Sequence, residues 1–151
     1  MAVNEIAVLI HRLGGNEDLP LPEYQTDEAV AMDLHAAVLE PTTLRPGEIL
    51  LVPCGFAMAV PAGFEAQIRP RSGLAAKSGI TVVNSPGTID PDYRGEVRVG
   101  LINLGQHPFV VERGMRIAQM LVAPVPRVQW REVAELPDTS RGHGGFGHTG
   151  Q

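Results

Sequence analysis

At 151 residues the chain has the length of one domain, and its 44% hydrophobic content is that of a globule burying roughly two thirds of its unfolded surface. A formal net charge of −5 speaks against a protein that coats nucleic acid, which needs a basic face. The lone cysteine, Cys54 in "LVPCGFAM", excludes a disulfide framework or a cysteine zinc cluster and reads as a small buried apolar residue.

The N-terminal "IAVLI" is too short for an export signal and lacks a basic lead-in. No stretch approaches membrane-spanning length, so no membrane association and a cytoplasmic compartment are expected. Thirteen prolines and seventeen glycines then punctuate the chain at the roughly 8–12-residue spacing of many short strands. Within "AMDLHAA", residues 31–37, Asp33 stands among apolar neighbours, as a turn or capping carboxylate does. "EILLVPCGFAMAV" and "GFEAQIRP" are β-prone. One short helix is predicted around "SGLAAKSG", with Ser72 as its N-cap and Gly79 as its stop. Arg71 beside that cap suits a phosphate at a helix start, and the same residues also suit plain capping.

Residues 84–97, "NSPGTIDPDYRGEV", read as a hairpin that gathers an amide, a carboxylate and a phenol. An ordinary Asp-Pro turn with Tyr93 packed over it reads equally well. In "GEVRVGLINLG" Val97, Val99 and Leu101 alternate with Arg98 and Gly100, the period of a half-buried strand. "GMRIAQMLV" places Arg116 and Gln119 in a strand otherwise fit for the core. Such groups either find partners or sit on an edge strand facing water. Together these runs predict an all-β jelly roll, sandwich or barrel with one short helix.

Eleven of the twelve basic residues are arginines and one, Lys77, is lysine. Arginine grips phosphate with a bidentate fork, although a GC-rich genome gives the same bias. His11, His35, His107, His143 and His148 show no metal-ligand spacing. Beyond Pro137 the sequence becomes glycine-rich, ending in "SRGHGGFGHTGQ". Gly142, Gly144 and Gly147 match the dinucleotide fingerprint G-x-G-x-x-G, but that pattern needs a strand before it and a helix after it.

Five segments, in order, are "AMDLHA", "PRSGLA", "NSPGTIDPDYRGE", "GMRIAQ" and "RGHGGFGHTG". Taken together they resemble the five motifs of the trimeric dUTPase family across nearly the whole chain. One departure is Ala31, where the family usually has glycine. The resemblance implies a distorted jelly roll over residues 1–137 and a glycine-rich lid over 138–151. It further implies a homotrimer with active sites shared between subunits. The implied reaction is dUTP + water → dUMP + pyrophosphate with Mg²⁺, which limits uracil in DNA and supplies dUMP for thymidylate synthesis.

Residue by residue, the resemblance makes Asp90 the catalytic carboxylate. It puts Arg71, Ser72, Gly73, Gln119, Arg141, His148 and Thr149 on the phosphates. Asn84, Gly87, Ile89, Tyr93 and Phe146 fall on the uracil and deoxyribose. The metal is implied to rest chiefly on substrate oxygens, with Asp33 reaching it through water and no direct protein ligand. A dCTP deaminase would share the hairpin but needs a glutamate on the following strand. "VRVGLINLG" has none, and Glu96 comes too early. A non-catalytic nucleotide-binding module and a jelly-roll interaction domain are the other readings.

Overall fold

The computed structural model describes residues 5–146. Ten strands and one helix follow in order: β1 (Leu9–Arg12), β2 (Met32–His35), β3 (Thr42–Leu44), β4 (Ile49–Ala59), β5 (Phe64–Pro70), α1 (Ser72–Ser78), β6 (Ile80–Val82), β7 (Gly87–Ile89), β8 (Glu96–Asn103), β9 (Phe109–Val111) and β10 (Arg116–Pro124). Two four-stranded sheets, ordered β1-β4-β8-β6 and β2-β10-β5-β7, are joined by a two-stranded β3-β9 ribbon. All pairings are antiparallel. The expected all-β sandwich with one short helix is what the chain forms.

Period-two patterning explains which faces meet. Along β8 Val97, Val99 and Leu101 point inward, and along β4 Val52, Cys54, Phe56 and Met58 do the same. Leu34, Ala66, Ile68, Ile117 and Met120 come from the second sheet to complete one apolar cluster. Cys54 lies inside it, where burial and the nearby Glu96 charge push its thiol up to about 12. It is therefore an unreactive packing residue. Among the described residues no helix is long and apolar enough to cross a membrane.

Two local expectations need correction. Ser72 does not cap the helix: Arg71 occupies the N-cap position with extended backbone, and no side-chain cap hydrogen bond forms. Residues 84–97 are also not a two-stranded hairpin. β7 pairs with β5 in one sheet, whereas β8 pairs with β4 and β6 in the other. Residues 90–95 thus carry the chain from sheet to sheet. The helix stop is as expected, since Gly79 adopts left-handed backbone with φ 68° and its N–H donates to Ala75 O at 3.1 Å. A side chain at Gly79 would also collide with the backbone of Gly105.

That close approach is held by Asn103, a fully buried polar residue at the end of β8. Its Nδ2 donates to Leu44 O at 2.9 Å and to His107 O at 2.8 Å. Its Oδ1 accepts from Gly105 N–H at 2.8 Å. One amide thereby satisfies three backbone groups that no ladder serves. Asn103→Ala strands all three, and urea unfolding should show a loss of about 2–4 kcal/mol. A change within about 0.5 kcal/mol, the usual range for an inconsequential surface substitution, would contradict this role.

Candidate active site

The first group of site residues gathers where β2, β10 and the β5–α1 junction meet. Asp33 on β2 lies opposite Gln119 on β10, and β10 runs between β2 and β5. β10 is therefore an interior strand, and the edge-strand reading of Arg116 and Gln119 is set aside. The polar residues have partners instead. Asp33 Oδ1 faces Arg71 Nε at 3.1 Å and Oδ2 accepts from Arg116 Nη1 at 3.2 Å. Arg71 Nη1 also donates to Arg116 O at 3.3 Å. Gln119 Nε2 donates to Pro70 O at 2.9 Å, fixing the strand end that precedes Arg71. Asp33 is thus a bridging carboxylate within the sheet, rather than the turn or capping residue its neighbours suggested.

The Asp33 carboxylate is 12% exposed, whereas Arg116 and Arg71 are 47% and 30% exposed. Two guanidiniums around one carboxylate leave a positive excess that faces outward. The exposed Ser72 and Gly73 open α1 beside it, and the Ser72 hydroxyl is not used in a cap. The arrangement can hold an anion. Arg116 is the residue that sequence reasoning left out of the site. Its signal was a cation interrupting an apolar strand.

The second group lines a cleft of about 570 Å³ bordered by residues of both sheets. Asn84, Gly87, Ile89, Asp90 and Tyr93 all lie on its wall, with Val83, Arg98 and Gly100. Glycines keep it open: a Cβ at Gly87 would sit 3.3 Å from Ile68, and one at Gly100 would sit 3.0 Å from Val83. Gly100 was legible as a glycine inside a strand, a mark of close approach. Asp90 is exposed at the last residue before the sheet crossing. Tyr93 caps the same turn, its N–H donating to Asp90 O at 3.2 Å and its hydroxyl to Glu96 O at 2.9 Å.

The described residues of the glycine-rich tail join neither group in a single chain. After β10 the described residues carry no strand or helix, and Val128, Trp130 and Leu136 are exposed. Arg141 Nε donates to Gly144 O at 2.7 Å within the tail, and Phe146 is fully exposed with φ 45°. His148 and Thr149 lie outside the described residues. Among the described residues no three His, Cys, Asp or Glu side chains converge on a point that could hold a metal.

A family model described as dUTPase matches residues 17–150. The chain belongs to the dUTPase family. The deoxyuridine 5'-triphosphate nucleotidohydrolase of Rickettsia bellii is 62% identical over 130 residues, covering 86% of this chain and 87% of that one. That of Maricaulis maris is 57% identical over 150 residues, covering 98% and 99%. The fold is that of the Staphylococcus bacteriophage 80alpha dUTPase solved with dUpNHpp, with a TM-score of 0.85 over 96% of this chain and 99% of that one at 21% identity. A variant dUTPase of phage phi11, solved with a structural Mg(II) ion, has a TM-score of 0.77 at 19% identity over 88% and 100% of the two chains.

The arginine group has a titratable neighbour in His35, which pairs with Arg116 across β2 and β10. Burial holds its imidazole below the ordinary 6.5; Asp33 opposes that shift, and Arg116 and Arg71 add to it. As pH falls below the ordinary value the unfolded chain takes up this proton first, so His35 subtracts stability on the acid side and nothing above it. An NMR titration should place the His35 midpoint below 6.5. Asp33→Asn should lower it further, and a rise in that variant would contradict the arrangement.

Proposed function

We propose that this chain hydrolyses dUTP to dUMP and pyrophosphate in the cytoplasm, as a homotrimer whose sites are shared between subunits. The observation that carries the reading is the glycine-floored cleft with Asp90 on its wall and Asn84, Gly87 and Tyr93 around it. A planar base would lie against Asn84, Gly87 and Tyr93 there. Asn84 and the backbone of Gly87 and Ile89 would read uracil by its donors and acceptors. Tyr93 would lie beneath the deoxyribose and crowd out a 2′-hydroxyl.

Asp90 holds the attacking water and accepts its proton as oxygen bonds to the α-phosphorus and the bond to pyrophosphate breaks. Arg71, Ser72, Gly73 and Gln119 meet the phosphates. Gln119 keeps one amide hydrogen free while the other holds Pro70. Both Asp33 oxygens are taken by guanidiniums. The donor set therefore suits a metal carried on the phosphate oxygens, with Asp33 reaching it through water. When bound, Mg²⁺ would neutralise phosphate charge and align the group for in-line displacement.

Support for shared sites comes from what one chain leaves apart. The cleft wall includes neither Asp33, Arg71 and Gln119 nor Arg141 and Phe146. The tail, residues 138–151, would act as a lid from a neighbouring subunit. In that lid Phe146 stacks on uracil and Arg141 clamps the γ-phosphate, while His148 and Thr149 meet phosphates. Its glycines let the backbone approach closely.

Purified protein given dUTP, dCTP, dTTP and UTP with Mg²⁺ should release pyrophosphate from dUTP alone. Ammonia from dCTP would indicate a deaminase, and no product a binding module. Asp90→Asn should keep nucleotide affinity and lose about 100-fold or more in kcat. A chain ending before Ser140 should still sediment as a trimer yet hydrolyse dUTP about 100-fold more slowly. Full activity in that truncated chain would remove the lid from the mechanism.

A further inference from the structure

Glu96 has no part in the mechanism above, yet its side chain makes a long-range bond that ordinary strand pairing does not explain. It opens β8, immediately after the turn that carries Asp90 and Tyr93. β4 bulges between Pro53 and Ala57, where its register with β8 slips. A bulge leaves a backbone group without its ladder partner. Here Gly55 N–H donates to Glu96 Oε1 at 3.0 Å. Gly55 itself is fixed: its φ is 76°, a Cβ would sit 2.7 Å from Asn16, and its carbonyl accepts from Leu13 N–H at 2.9 Å. The other Glu96 oxygen faces Arg98 Nε at 3.4 Å, and the Glu96 side chain is only 19% exposed.

The backbone of the same residue holds the tyrosine. Tyr93 Oη donates to Glu96 O, and the hydroxyl lies so close over Gly95 that a Cβ there would be 2.5 Å away. A continuous path therefore runs from the bulged strand through the Glu96 carboxylate and carbonyl to the ring on the cleft wall. We propose that Glu96 is a positioning residue for sugar discrimination. By fastening the start of β8 to Gly55 it fixes the height of the Tyr93 ring, and so the room left at the 2′ position. This rests on the reading that Tyr93 lies beneath the sugar of dUTP.

The test compares kcat and KM for dUTP and UTP in the full-length chain and in three variants. Glu96→Ala removes the acceptor and should lower the dUTP/UTP ratio of kcat/KM about tenfold, chiefly by admitting UTP. Glu96→Gln keeps an acceptor oxygen and should retain most of the ratio. Glu96→Asp keeps the charge but falls one methylene short, so its ratio should fall towards that of the alanine variant. It also serves if Glu96→Ala does not fold. An unchanged ratio in folded Glu96→Ala or Glu96→Asp would overturn the proposal, as would a Gln variant that loses the ratio as fully as the others. Absence of dUTP hydrolysis in the unsubstituted chain would instead sink the underlying function.

Discussion

The chain crosses between its two main sheets three times within a short span. It leaves β5 for β6 through α1, β6 for β7 through residues 83–86, and β7 for β8 through residues 90–95. Strands in facing sheets lie roughly 10 Å apart, so a crossing segment must leave both ladders and run over the edge of the sandwich. Its backbone groups are unpaired by the sheets and its side chains are free of the core. Candidate site residues sit on all three crossings for that reason. Arg71, Ser72 and Gly73 lie on the first, Asn84 on the second, and Asp90 and Tyr93 on the third. Asn84, Asp90 and Tyr93, from the second and third crossings, share the wall of the cleft.

An acidic chain that binds a polyanion must concentrate its cations, because its overall field repels. The fold does this by placing one carboxylate between two guanidiniums. Asp33 orients Arg71 and Arg116 and neutralises part of their charge, so the pair is held ready without being cancelled. Each arginine comes from a different strand end. Removing Asp33 would free the guanidiniums and leave them repelling each other.

Much of this was legible in the sequence where the signal was local. Alternation in "GEVRVGLINLG" gave β8 and its buried face, and Gly79 marked the end of the helix. The five motifs carried the family. What escaped was long-range. Residues 84–97 have the turn chemistry of a hairpin, but alternation cannot say which sheet a strand joins, and β7 found β5. Ser72 looked like a cap because serine favours that position; the extended backbone of Arg71 took it instead. An edge position stayed open for Arg116 and Gln119 because the strand order is invisible in the sequence. Asn103 and Glu96 gave no warning, since their partners are backbone groups exposed by bulges and turns that only the assembled sheets create.

Cys54 adjoins Gly55 at the bulge, and it is the single thiol of the chain. Burial and its raised thiol pKa shield it from an alkylating reagent while β4 stays seated. Its rate of modification is therefore a built-in clock for the opening of the strand to which the turn of Asp90 and Tyr93 is tied. No label has to be added, and no other sulfhydryl competes for the reagent.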